Sequence, residues 1–226
     1  ADEGQLEVDG QVVKKLDDVL GLGFMNQDQN VYNEIKIRDL TNFVRDVMKK
    51  KFNKEVYHYY FKDVFQLDDD YKMKELSTGM KVKYFLSLEL AKNPDLLVLD
   101  EPTSGLDPIV RDEVLDILRC VAKEKNTSVL FSSHITEDIE KIADRVVFIN
   151  NGRIVLQGDK KEIKKKYVKL NQQQYVILVN AGMAKECVSI HDYYIVDRDL
   201  AMNCNVEAKE ALLSDILSYI RKKSED

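Results

Sequence analysis

Apolar positions along the chain switch between two periods. Leu96–Leu99 (LLVL) and the run from Ser128 to His134 (SVLFSSH) are short apolar stretches bounded by turn signals, the pattern of strands in a parallel sheet buried on both faces. The opening ADEGQLEVDGQVV alternates weakly around Asp9-Gly10 and predicts a hairpin. Gly21 to Asn33 reads as a short apolar piece followed by a polar loop. From Asp39 to about Tyr71 the period becomes helical. Leu40, Phe43, Val44, Val47 and Met48 form one face, and a second segment holds Val56, Tyr60, Val64 and Phe65. Ser77 stands at an N-cap position before Met80, and that helix stops at Asn93-Pro94. Asp107-Pro108 opens another, with Asp as cap and Pro as first helical residue. Its buried face is Val110, Val114, Ile117, Leu118 and Val121. ITEDIEKIAD predicts a short helix, and RVVFINNGRIVLQGD a hairpin on Asn151-Gly152.

From about Asp159 the character changes. KKEIKKKY predicts a basic helix start, QQYVILVN and DYYIVDRD predict strands, and Glu207 to Lys222 an amphipathic helix through Leu212, Leu213, Ile216, Leu217 and Ile220. The fold class is α/β, with a small separate C-terminal α/β domain. A net charge of −6 argues against general nucleic-acid binding, which rests on a basic surface. The three cysteines are scattered without metal-ligand spacing, which suits a reducing compartment. No apolar run reaches the eighteen or so residues of a membrane span, and the polar start carries no signal-peptide pattern.

The chemistry begins where the first buried strand ends. Asp100 and Glu101 follow LLVL directly, and open α/β sheets bind ligands at the carboxyl ends of their strands. Two neighbouring carboxylates there suit one metal holder and one base. Three features stand in fixed order: ELSTGMK, LLVLDEPTSGLD and VLFSSH. Together they resemble the ATP-binding subunit of ABC transporters over roughly residues 4–158. ELSTGMK resembles the signature loop, LLVLDEP the Walker B strand, SGLD the D-loop, SSHITED the switch-histidine loop and GFMNQDQNVYNE the Q-loop.

The resemblance implies a P-loop NTPase-like ABC ATPase core over 1–158, with a helical subdomain at about 33–92 and an accessory domain at 159–226. It implies ATP and Mg²⁺ as cofactors. Asp100 and Gln27 would serve the metal, a hard cation that prefers oxygen ligands. Glu101 would take a proton from the attacking water, and His134 would hold the γ-phosphate and that water, since phosphoryl transfer needs positioning and charge stabilisation. Ser77, Thr78 and Gly79 would present backbone N–H groups to the phosphate bound by a second copy, and Asp107 would act across that interface. The loop reads S-T-G-M rather than the commoner S-G-G-Q, so Thr78 and Met80 depart from the pattern. Bland readings stand beside these: a capped helix for Ser77, capping acids for the carboxylate pair, and solvated loop residues for Gln27 and its neighbour Gln29.

No glycine is followed by another five positions on, so G-x-x-x-x-G-K-[ST] does not occur within these 226 residues. The core is therefore expected to be incomplete at its N-terminus, with the phosphate loop on upstream residues of a longer parent. The chain as given is expected to be inactive alone. The intact protein is expected to be an ATPase powering export as an ATP-sandwiched dimer on a separate transmembrane permease, cytoplasmic and peripheral on the inner membrane face. The compact α/β tail resembles ABC-2 type exporters, and about Tyr32 to Tyr71 would dock the permease. The alternatives are a catalytically silent regulatory or structural module and a non-transport ABC ATPase. Chromosome and repair clamps need a long coiled coil between Q-loop and signature, and only a short helical stretch lies there. The lysines of 160–169 could face anionic lipid, against a solvated helix face.

Overall fold

A computed structural model of the chain describes residues 3–8, 10–13, 21–27, 33–124 and 127–223. The residues pack as two compact units, Ala1–His134 and Ile135–Asp226.

The first unit opens with the expected hairpin, β1 (Leu6–Val8) against β2 (Gln11–Val13), Leu6 opposite Val13. Asp9 of its turn lies outside the described residues. Next come β3 (Leu22–Met25), β4 (Leu96–Leu99) and β5 (Ser128–Phe131), a parallel sheet in the order β3-β4-β5. Met25, Leu99 and Phe131 share one register row, so all three carboxyl ends meet at one edge. Met25, Leu97 and Leu99 are buried. Gly21 starts β3 with φ +73°, its carbonyl accepts from the N–H groups of Asp95 and Leu96, and a Cβ there would lie 2.2 Å from Asp95 Oδ2. A side chain there would be strained by the left-handed backbone and would press on Asp95.

Between β3 and β4 lie α1 (Ile37–Met48), α2 (Lys54–His58) and α3 (Thr78–Leu90). The two helical segments expected over 39–71 are separated at Lys49, whose φ of +51° ends α1. Asn53 restarts the helix by accepting from Glu55 and Val56 N–H, and α2 runs on into a π-helical turn over Tyr59–Val64. An aromatic core joins these helices: Tyr57 stacks on Phe61, whose ring meets Tyr84 edge-on at 6.1 Å. Thr41 Oγ1 bonds both Tyr57 OH at 3.0 Å and Tyr84 OH at 3.1 Å. After β4, α4 (Pro108–Glu124) buries Val114, Leu115, Leu118 and Val121, and leaves Val110 and Ile117 at its half-buried margin.

The second unit holds α5 (Thr136–Ile142) and the hairpin β6 (Arg145–Asn150) with β7 (Arg153–Asp159). Asn151 and Gly152 both have positive φ, as a type I′ turn demands. Then come α6 (Lys160–Lys166), β8 (Tyr167–Leu170), α7 (Gln172–Asn180), β9 (Val188–Ile190), β10 (Tyr193–Asp197), α8 (Arg198–Asn203), β11 (Lys209–Glu210) and α9 (Leu213–Lys223). The sheet is antiparallel in the order β11-β8-β10-β9.

Two expectations are corrected here. QQYVILVN is helix, not strand, and α9 begins at Leu213 rather than Glu207, with Leu212 exposed. The hairpin packs with the tail, because Val146, Phe148 and Leu156 join a cluster built on Ile163, Ile195 and Ile216.

Candidate functional site

The parallel register builds the site. Asp100 N–H donates to Met25 O and Ser132 N–H to Leu99 O, so each is the first residue past its strand and the two lie side by side. Ser132 Oγ donates to Asp100 Oδ1 at 2.7 Å and accepts from Glu101 N–H at 2.9 Å, tying both acids to the end of β5. Glu101 then adopts φ +49°, a left-handed conformation that costs a non-glycine residue about 1–3 kcal/mol. That turn brings its carboxylate to His134, with Nδ1 and Oε2 at 2.7 Å. His134 is 67% exposed and Glu101 18%, so the imidazole roofs the carboxylate on the solvent side. With Nδ1–H donating to Glu101, Nε2 accepts when the ring is neutral and donates when it is protonated.

Met25, Asn26, Gln27, Thr78, Lys81, Asp100, Glu101 and Ser104 line one cleft of about 320 Å³. Four predicted site residues therefore face a common space, and His134 joins them through Glu101. Residues 28–32 of the expected Q-loop, Gln29 among them, lie outside the described residues.

The other three predicted residues sit at helix starts. Ser77 Oγ accepts from Met80 N–H and caps α3. Asp107 Oδ1 accepts from Ile109 and Val110 N–H, both at 3.1 Å, and caps α4. Gly79 lies against α4: a Cβ on it would stand 2.7 Å from Val110 Cγ1. The first turns of α3 and α4 are thus in contact.

The donor set suits a hard divalent cation. Asp100 and Gln27 offer oxygens, and no cysteine is among the described residues lining the cleft. Lys81 supplies a positive charge that a polyphosphate would use. Ser132 and Lys81 escaped sequence reasoning. Ser132 became visible only through the register that sets it beside Asp100, whereas Lys81, three residues past Thr78 on a helix, shared its face and could have been found.

Residues 5–137 match the family described as "AAA domain, putative AbiEii toxin, Type IV TA system". The ABC transporter ATP-binding protein YtrB of Bacillus subtilis (strain 168) is 29% identical over 217 residues, covering 96% of this chain and 73% of that protein. The energy-coupling factor transporter ATP-binding protein EcfA2 of Enterococcus faecalis (strain ATCC 700802 / V583) is 30% identical over 191 residues, 81% of this chain and 64% of its own. Among solved structures, the ATP-binding cassette MJ0796, a dimer in a post-hydrolysis state with ADP and Pi, aligns with a TM-score of 0.58 at 17% identity. That match covers 70% of this chain and 73% of that one and supports the fold. Matched to that family over more than half its length, the chain belongs to this AAA-domain family and is an ABC-type ATP-binding subunit.

Proposed function

We propose that this chain provides the metal and water side of an ATP site in an ATPase that powers export through a separate transmembrane permease. The observation that carries the reading is the contact between His134 and Glu101 beside Asp100, at the carboxyl end of a parallel sheet. Asp100 and Gln27 would hold Mg²⁺, which would supply charge neutralisation at the phosphates. Glu101 accepts the proton of the attacking water. His134 keeps that carboxylate aimed and, through Nε2, addresses the γ-phosphate. The N–H groups of Ser77, Thr78 and Gly79 serve the nucleotide of a second copy, with Asp107 at the same interface. In this reading the ATPase domain spans residues 1–158 by sequence, although its β6–β7 hairpin packs on the accessory residues 159–226, and the protein works on the inner face of the cell membrane. The helices up to Tyr71 dock the permease, a role supported by Phe43 and Val47 on α1, which are 65% and 62% exposed. No helix among the described residues is long and apolar enough to cross a membrane. The ABC-2 exporter type rests on the tail's size and layout.

The test needs a phosphate loop, so it uses a parent chain that carries one upstream. Glu101→Gln there should lower ATP turnover by at least about 10²-fold while nucleotide binding persists. The same variant should dimerise at saturating ATP by light scattering. Normal turnover sinks the role of Glu101, and a strict monomer sinks the sandwich. Residues 1–226 alone should turn over no ATP.

One observation favours the silent-module alternative: the Asp107 side chain is already committed to the N-cap of α4. No turnover in the parent with Glu101 intact would decide for it.

A further inference from the structure

Ser132 does more at the end of β5 than close the sheet. Its backbone N–H donates to Leu99 O, so the register of β4 and β5 is held there without the side chain. Ser132 is also exposed, so water could satisfy its hydroxyl, and burial does not force the bonds that it makes. The hydroxyl nevertheless engages both acids, with Glu101 N at 2.9 Å and Asp100 Oδ1 at 2.7 Å.

The chemistry of the partners fixes the direction of both bonds. A backbone N–H can only donate and an ionised carboxylate can only accept, so the serine lone pair serves Glu101 and its single proton goes to Asp100. Asp100 Oδ1 is thereby engaged, which leaves Oδ2 as the oxygen for a cation or for its water. At Glu101 the bond holds the amide of a residue at φ +49°, a conformation that persists only when its surroundings impose it. His134, two residues further on, holds the other end of Glu101 through Nδ1 and Oε2 at 2.7 Å.

We infer that Ser132 is a positioning residue for both acids of the ATP site. Its hydroxyl sets the rotation of the Asp100 carboxylate that the metal would meet, and it pins the turn that aims the Glu101 carboxylate. The inference rests on the ATP-site reading above and adds to it a residue that acts through Asp100 and Glu101, with no bond of its own to metal or nucleotide. Hydrogen-bond partners behind a metal-binding carboxylate typically change metal affinity or activity by about 10–100-fold.

The test compares Ser132→Thr with Ser132→Val, which share a shape and differ by the hydroxyl, in the parent chain that carries the phosphate loop. Without nucleotide, hydrogen exchange of the Glu101 amide, read by NMR, should stay slow in the wild type and in Ser132→Thr. It should become at least about tenfold faster in Ser132→Val. With a non-hydrolysable ATP analogue, the affinity for Mn²⁺, a paramagnetic stand-in for Mg²⁺, should fall about tenfold in Ser132→Val and be kept in Ser132→Thr. Turnover of Ser132→Val should stay low at saturating Mg²⁺, because added metal does not restore the Glu101 turn. A merely structural serine would lower stability without moving the metal affinity. Unchanged exchange or Mn²⁺ affinity in Ser132→Val, or equal losses in the two variants, overturns the inference. Absent turnover in the wild type sinks the ATPase reading instead, and the exchange and Mn²⁺ measurements, which need no turnover, still decide the role of Ser132. If Ser132→Val fails to fold by circular dichroism, Ser132→Ala takes its place.

Discussion

A Cβ on Gly79 would stand 2.7 Å from Cγ1 of Val110, and that methyl cannot swing aside cheaply, because a β-branched side chain in a helix has one strongly preferred rotamer. In an open helix, Gly→Ala would gain about 1 kcal/mol. Here overpacking, typically about 1–3 kcal/mol, opposes that gain and outweighs it. Gly79→Ala should therefore lower unfolding stability by about 1 kcal/mol in urea. Gly79→Ala with Val110→Ala should recover most of the loss, and strictly additive effects would show that the contact is absent. Gly79 is thus explained by packing before any ligand is considered. Asp100, Glu101 and His134 were legible because a buried strand followed at once by acids announces a strand end, and SSH announces the next. Ser132 was not, since its place beside Asp100 depends on how β4 and β5 align, which neither stretch encodes locally.

Among the elements, α7 is where periodicity misled. Tyr175, Val176, Ile177, Leu178 and Val179 have the β-branched and apolar composition of a strand, yet only Leu178 is fully buried and the segment is a helix. The deciding signal lies just upstream. Asn171 Oδ1 accepts from Gln174 N–H at 2.9 Å, and Gln174 Oε1 accepts from Asn171 N–H at 2.8 Å, a reciprocal capping box. Gln174 Nε2 also donates to Glu207 O at 2.6 Å, which ties the helix start to the segment before β11. Asn-x-x-Gln was present in the sequence and outranks the composition that follows it. Because the cap is what commits this weakly helical stretch, Asn171→Ala should cost about 1 kcal/mol in urea unfolding. Asn171→Asp should keep most of the stability. Equal losses in the two variants would mean that the cap does not hold α7.

At the scale of the whole molecule, both units keep tyrosines whose phenols resist ionisation, though for different reasons. In the first, burial raises Tyr57 and Tyr84 well above the ordinary value, while their shared bonds to Thr41 partly offset it, and burial pushes Tyr60 to about 12. In the second, Tyr193 is pushed to about 12 by desolvation first and then by the Asp215 carboxylate, to which its OH donates at 2.6 Å. Composition could not reveal this, because the partners of these rings come from elements distant in sequence, as do those of the 145–159 hairpin that packs with the tail. A folded-state value above the unfolded one near 10 means that stability is fully present below about pH 10 and is lost as pH rises through about 12. The chain has 11 tyrosines and no tryptophan, so phenolate absorbance reports their titration without interference. Phenolate from Tyr57, Tyr60, Tyr84 and Tyr193 should appear only above pH 10, together with loss of the helical circular-dichroism signal. Tyr193→Phe should lose about 1 kcal/mol at neutral pH with its hydrogen bond, yet show a smaller further loss between pH 10 and 12. Ionisation of all eleven in one reversible step near pH 10, with no loss of helix, would show that neither unit protects its phenols.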